Sequence, residues 1–328
     1  MKFRYCFFIF IFLNAIFFNI SANNPDTSKT DTSKTEIRDF SYSFFSNFKS
    51  NPALTGIQGG QTLSNEAGIN NPLRAFGNFY HPQFYSFLFD AAFGKKRNFA
   101  TGIFVNEAKG GAIENPSAGL AVSKTFNLSG SNSFYHKLIV GASIEYNIVH
   151  LSYDTLTFGD MINPLYGFIY YTQETKPSSL NRQFVNFSAG LWYHNPVFYL
   201  GLSARNLNQP NVSQFALSVI PMELYFSSGG KLKLSKQFSL HPSFNVTVIK
   251  GYKGKLNSYS PAVICSYRQK YNLGLSYMDL NKIGIHAGFV LVKHLTLLAT
   301  CAFSTNADLY QFGTLSYLGG KMQYNFKN

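Results

Sequence analysis

The sequence predicts an all-β protein: a transmembrane, antiparallel, up-and-down β-barrel of about fourteen strands (roughly 12–16), preceded by an N-terminal signal peptide. Three observations lead there. The first is strict alternation. Leu138, Val140, Ala142, Ile144, Tyr146 and Ile148 point one way, and Gly141, Ser143, Glu145 and Asn147 the other. One apolar face opposite one small or polar face is the pattern of a half-buried strand. The second is length, because the alternating runs are about ten residues, which a tilted strand needs to cross a bilayer. The third is composition. There are 34 Phe and 21 Tyr but only 13% charged residues, against about 25% in an ordinary soluble domain. Mean hydropathy lies near zero, the average of a wall that is greasy outside and wet inside.

From the N-terminus, residues 1–22 read as a signal peptide. Lys2 and Arg4 supply a positive start, Cys6–Phe18 an apolar run and Ser21-Ala22 a small-residue exit. The competing reading, a membrane-anchoring helix, is opposed by the short run and the polar tract behind it. Residues 23–39 hold the tandem DTSKT-DTSKT and read as a disordered polar tail. Residues 40–71 are aromatic at first and then broken by the turn formers of NPALTG (Asn51–Gly56), so they are expected at the barrel mouth or as a plug.

The barrel itself is expected over 72–328. Its strands are placed at 72–81, 83–93, 98–107, 117–127, 137–152, 183–193, 196–206, 222–234, 238–250, 258–268, 271–279, 282–291, 294–304 and 312–326. The hairpin from Phe184 to Asn211 is the clearest, with Phe187, Leu191, Phe198, Leu200 and Leu202 toward lipid and a turn at His194-Asn195-Pro196. In outer-membrane barrels short turns face the periplasm and long loops face outside. The long connections (108–116, 153–182, 207–221, 251–257, 305–311) all follow odd-numbered strands, and the short turns (194–195, 235–237, 269–270, 292–293) follow even ones. The last strand alternates Met322, Tyr324 and Phe326 with Lys321, Gln323 and Asn325, an aromatic ending common in bacterial barrels.

No constellation for chemistry is present. The seven His are dispersed, without HExxH or Cys/His metal spacing, and no GxSxG elbow, Walker loop or dinucleotide fingerprint occurs. The chain is therefore expected to be non-enzymatic, with no catalytic residue, cofactor or metal. Cys265 and Cys301 read as small apolar residues on strands, with a disulfide as the alternative. Gly110-Gly111, Gly229-Gly230 and Gly319-Gly320 read as bulges or close backbone contacts. The formal charge of +13 is scattered rather than clustered, which suits anionic headgroups or an acidic partner and not nucleic acid. Glu145, Arg205 and Lys321 are the inward charges, and two readings stay open: they line a pore, or they hydrogen-bond a plug made by the N-terminal segment. In the longest loop, Phe168, Ile169, Tyr170 and Tyr171 form an apolar patch that either meets a partner or folds over the mouth.

Four stretches resemble the PorP/SprF family of outer-membrane proteins, associated with type IX secretion and gliding motility in Bacteroidetes. They are NPALTG (Asn51–Gly56), GIFVNEAKGGAIENPSAGLAVSKTF (Gly102–Phe126), LTFGDMIN (Leu156–Asn163) and GLWYHNPVFYLGLSARNLNQPN (Gly190–Asn211). The likeness continues through KLKLSKQFSLHPSF (Lys231–Phe244), while the polar tail and Asn306–Thr314 have no counterpart. The resemblance implies an outer-membrane component that helps export or surface-anchor cargo bearing a type IX C-terminal sorting domain. Its partners would be that domain, other periplasmic or lipoprotein components of the machinery, and outer-membrane lipid. An outer-membrane channel for small or hydrophobic solutes is the alternative, and a hydrolase barrel a third reading without a nucleophile to support it. Partner contact is expected at the outer rim, through Asn206, Leu207, Asn208 and Gln209, and through Phe168, Tyr170 and Tyr171.

Overall fold

Alternation decides the wall. In a computed structural model, large apolar side chains take the outside of a single closed sheet and small or polar ones take the inside. The structure describes residues 47–70, 82–94, 97–128, 136–153, most of 156–175, and then 181–212, 219–250, 256–278, 282–292, 294–305 and 315–326. The expected signal peptide (1–22) and polar tail (23–39) lie outside the described residues.

The fourteen long strands are β1 Gln61–Asn70, β2 Gln83–Phe93, β3 Phe99–Gly110, β4 Ile113–Asn127, β5 Lys137–Leu151, β6 Asn181–His194 and β7 Phe198–Arg205, followed by β8 Met222–Gly230, β9 Phe238–Lys250, β10 Leu256–Tyr267, β11 Tyr271–Met278, β12 Lys282–Val292, β13 Leu295–Ser304 and β14 Leu315–Phe326. Each pairs antiparallel with its neighbours in sequence. Ten positions of β1 pair with β14, from Gln61 opposite Phe326 to Asn70 opposite Tyr317, and close the barrel. Closure is obligatory in lipid, where a free strand edge has no water to satisfy its backbone groups. A two-residue strand, Leu232–Lys233, continues the β8 side against β9, and Ile162–Asn163 pairs with Gly167–Phe168 in the longest loop.

The faces follow the expected parity. Leu202 is 54% exposed and Ser203 beside it 6%. On the outer face near the short turns, rings gather into a belt: Tyr193 with Phe198, Phe238 with Tyr267, Tyr271 with Phe289, and Tyr324 with Phe326, at centroid separations of 4.8–6.2 Å. Aromatic girdles of this kind mark the bilayer interface. On the inner face, rings lie flat on glycines of the next strand. Phe104 covers Gly119, and Trp192, stacked 4.9 Å from Tyr199, covers Gly201. Cys265 and Cys301 are free thiols on the wall.

Two expectations about the wall need correction. The first strand is Gln61–Asn70, inside the expected N-terminal segment, and the strand expected at 72–81 lies outside the described residues. Its sequence hid it, because outward positions Gln61, Asn65 and Ala67 are polar or small, and only pairing with both β2 and β14 defines it. The expected long loop at 108–116 is instead a tight hairpin, with β3 running to Gly110 and β4 starting at Ile113. Gly111 sits at φ 61, in the left-handed region that glycine adopts freely, so Gly110-Gly111 is a turn and not a bulge. Pro116 disguised the start of β4, although it is paired only through β3 at Glu107.

Replacing Leu202 by Arg, on the lipid face, is expected to cost about 2–4 kcal/mol, whereas Ser188→Ala on the inner face, where Ser188 is buried, should cost under about 1 kcal/mol. Denaturant unfolding from lipid vesicles measures both, and equal losses would contradict the assigned faces.

Candidate functional site

Residues Asn47–Gly60 do not join the wall; they pack inside it. Asn51 caps the short 3-10 turn Pro52–Leu54 by accepting a hydrogen bond from Ala53 N–H at 3.0 Å. Proline suits the first helical position, since its missing N–H would have no partner there. Phe48, Ala53 and Leu54 are buried against the inward side chains Leu88, Phe104, Ala121, Ile139, Trp192 and Tyr199, with Phe48 edge-on to Phe104 at 5.9 Å. Removing a Leu or Phe from water contributes about 1.5–3 kcal/mol each.

Polar contacts fix the orientation of this plug. The Asn51 amide donates to the carbonyls of Leu191 and Leu202, at 3.3 and 3.4 Å, on the β6–β7 hairpin. Ser203 Oγ donates to Ser50 O and Ser123 Oγ to Thr55 O, both at 2.8 Å. Gly56 N–H donates to the Asp90 carboxylate. The floor beneath is glycine. A Cβ on Gly141 would come within 2.3 Å of the Pro52 carbonyl carbon, and one on Gly190 within 2.0 Å of Asn51 Oδ1. Gly141 and Gly190 face each other across β5 and β6, so the sheet is bare where Asn-Pro-Ala is seated.

The inward charges form two groups around the plug. Lys321 pairs with Glu66 at 2.7 Å, and the other Glu66 oxygen accepts from Asn47 Nδ2 at 3.0 Å, joining wall to plug. Arg205 lies 3.7 Å from Glu145 and 3.5 Å from Glu223, while Ser117 Oγ donates to Glu145 at 2.7 Å. Lys49 of the plug is drawn to the same region. Burial pushes its ammonium pKa down, Glu145, Glu66 and Glu223 pull it up, and Arg205 opposes them. A cavity of about 50 Å³, lined by Gln58, Thr62, Asp90, Lys321 and Gln323, remains between the plug and the wall. Of the two readings of Glu145, Arg205 and Lys321, the described geometry has them in ion pairs beside the plug. No group of three His, Cys, Asp or Glu side chains able to hold a metal occurs among the described residues.

At the outer rim the candidate residues divide. Asn206, at φ 54 and 4% exposed, donates to Pro221 O at 3.2 Å. Asn208 bonds the edge of β6 like a strand residue, donating to Val185 O at 2.6 Å and accepting from Phe187 N–H at 3.3 Å. Leu207 and Gln209 are exposed. In the longest loop the Asp160 carboxylate accepts from Thr172 Oγ1 and Gln173 N–H, and Asn163 Nδ2 donates to Tyr170 Oη at 2.8 Å. Tyr170 is half-exposed and Tyr171 96% exposed, together with Ile162 and Leu165, which sequence inspection passed over because they are not contiguous with the aromatic run. Phe168 is placed by its backbone in the short hairpin opposite Ile162. The plug anchors Asn51, Asp90, Ser123 and Ser203 were also missed; the only sequence signal was the Asn-Pro pair itself.

Two outcomes test this arrangement. A cysteine replacing the fully buried Ala53 should resist a membrane-impermeant maleimide, and Gly141→Val should expose it; unchanged protection would refute the seat. Arg205→Met should destabilise the refolded barrel by about 3 kcal/mol, the low end for removing one partner of a buried pair, because Arg205 keeps 22% exposure against 7% for Glu145. Adding Glu145→Gln should recover part of that loss in denaturant titrations.

Comparison with known proteins gives a family and a fold. No curated protein matches the sequence. Among solved structures, the toluene transporter TbuX of Ralstonia pickettii shares 11% identity at a TM-score of 0.47, over 85% of this chain and 93% of its own. The outer membrane protein Omp33 of Acinetobacter baumannii shares 11% at 0.44, over 81% and 98%. A FadL homologue of Pseudomonas aeruginosa shares 12% at 0.41, over 84% and 93%. Residues 34–317 match the family described as type IX secretion system membrane protein PorP/SprF. With a lipid-facing barrel around that match, the chain belongs to the PorP/SprF family and resides in the outer membrane.

Proposed function

We propose that this barrel is a non-enzymatic component of type IX secretion and gliding machinery that helps export, or hold at the surface, cargo bearing a type IX C-terminal sorting domain. The observation that carries the proposal is the seated plug. Asn47–Gly60 occupies the lumen against β3–β7 through both apolar burial and hydrogen bonds. A barrel whose lumen is partly occupied by its own chain is suited to present a surface rather than to conduct solute. The surface offered is the outer rim, where Leu207, Gln209, Tyr170 and Tyr171 keep exposed side chains on loops held by internal hydrogen bonds. Preorganised loops with exposed aromatic and aliphatic groups are favourable docking elements, since little ordering entropy remains to be lost on binding. Asn206 and Asn208 would act by holding that rim in shape.

The test is retention of a matching sorting domain by the purified full-length barrel. The triple variant L207A/Q209A/Y171A should weaken retention about tenfold, equivalent to about 1.4 kcal/mol, while remaining folded on a heat-modifiability gel. No retention by the intact barrel would sink the proposal. So would an open, cargo-independent conductance in planar bilayers, which would favour a solute channel.

A further inference from the structure

Charge is distributed unequally between the two ends of this barrel. The connections at the short-turn end are 94–98, 128–136, 195–197, 231–237, 268–270 and 293–294, and none of them contains Asp or Glu. Among them, Arg97, Lys231, Lys233, Lys236, Arg268 and Lys270 are described, all but Lys231 exposed, with Arg97 donating to Gly59 O of the plug. The same connections carry Lys95, Lys96 and Lys293 in sequence. The acidic side chains of the wall are elsewhere. Glu66, Asp90, Glu145 and Glu223 serve the lumen. Glu114 lies at the opposite end, paired with Lys109. The cations of these connections have no acidic residue among them, so net positive charge is concentrated at this rim.

Two further features say what faces it. The charge falls on four of the six connections, β2–β3, β8–β9, β10–β11 and β12–β13, while the β4–β5 and β6–β7 connections carry none. Basic groups also sit at the level of the outer aromatic belt. Lys124 lies over the Phe99 and Phe126 rings at 5.0 and 5.2 Å, and Arg268 over Tyr267 at 5.2 Å. Belt rings lie at headgroup depth, so these cations are at the height of lipid phosphates. A protein partner would not need cations on lipid-facing rings.

We infer that the periplasmic rim is a collar for anionic phospholipid headgroups of the surrounding leaflet. Lys and Arg near a negative surface attract it electrostatically, and the attraction fades with salt. The collar would select phosphatidylglycerol-type lipids from the bilayer and fix the depth of the barrel.

The experiment uses the full-length barrel in phosphatidylcholine vesicles with trace spin-labelled phosphatidylglycerol or spin-labelled phosphatidylcholine. The immobilised fraction should be larger for phosphatidylglycerol. That preference should be lost in the variant K231Q/K233Q/K236Q/R268Q/K270Q and should fall when salt is raised on the unsubstituted protein. The salt arm stands even where the variant fails to show heat-modifiable folding. Equal immobilisation of both lipids by the unsubstituted barrel would overturn the inference, as would a preference insensitive to salt. Capture of an acidic periplasmic protein without lipid preference would also overturn it, and would assign the collar to a protein.

Discussion

In hydrocarbon, a backbone N–H or C=O without a partner has no water to turn to, and that constraint governs this molecule. The pairing of β1 with β14 removes the last free edges, and every other strand is held in register by it. Its energetic weight explains why a segment as weakly patterned as QTLSNEAGIN is a wall strand at all. Leu63 lies between Phe89 and Tyr324 on the outer face, while Thr62 and Glu66 meet Asn325 and Lys321 across the seam. The seam is thus polar within, and outside it Leu63 and Ile69 supply the large apolar side chains among Gln61, Asn65 and Ala67.

Closing fourteen strands leaves more interior than side chains alone would fill, since eight strands already suffice for a packed core. This chain fills part of that space with its own N-terminal segment and prepares the wall to receive it. Gly141 and Gly190 clear a floor for Asn51-Pro52-Ala53, and Ser123, Ser203 and Asp90 supply the polar contacts. The arrangement is economical: plug backbone groups that would otherwise be buried and unsatisfied find hydroxyls and a carboxylate on the strands. Because Glu66 binds both Lys321 of the wall and Asn47 of the plug, seam and plug share one carboxylate. An event that disturbs the seam near Glu66 would be felt at the plug.

The outer rim and the periplasmic rim have different physical characters. Above, the loops carry exposed aromatic and aliphatic side chains on a hydrogen-bonded frame, and Lys109 is neutralised by Glu114. Below, the turns are tight, and those with charge carry only cations. One end carries exposed apolar side chains and the other exposed cations.

Most of the wall was legible in the sequence because a strand's two faces alternate with period two and lipid demands that one of them be apolar. Thirteen strands, the inward placement of Glu145, Arg205 and Lys321 and the family likeness all came from that local pattern or from short motifs. What local pattern could not reach was set by contacts distant in sequence. Gln61–Asn70 became β1 only because β14 needed a partner, and the loop expected at 108–116 became a hairpin once β3 and β4 zipped to their ends. Asn206 and Asn208 read as a free polar rim, yet one bonds Pro221 and the other the β6 edge. The plug is the sharpest case. Asn-Pro-Ala announces a turn, but its seat exists only where Gly141 and Gly190 come together across β5 and β6, on either side of the longest loop. Sequence alone determined which face of each strand meets lipid, since that depends on neighbours in the chain. Tertiary structure decided what fills the barrel, since that depends on which small residues the closed sheet brings side by side.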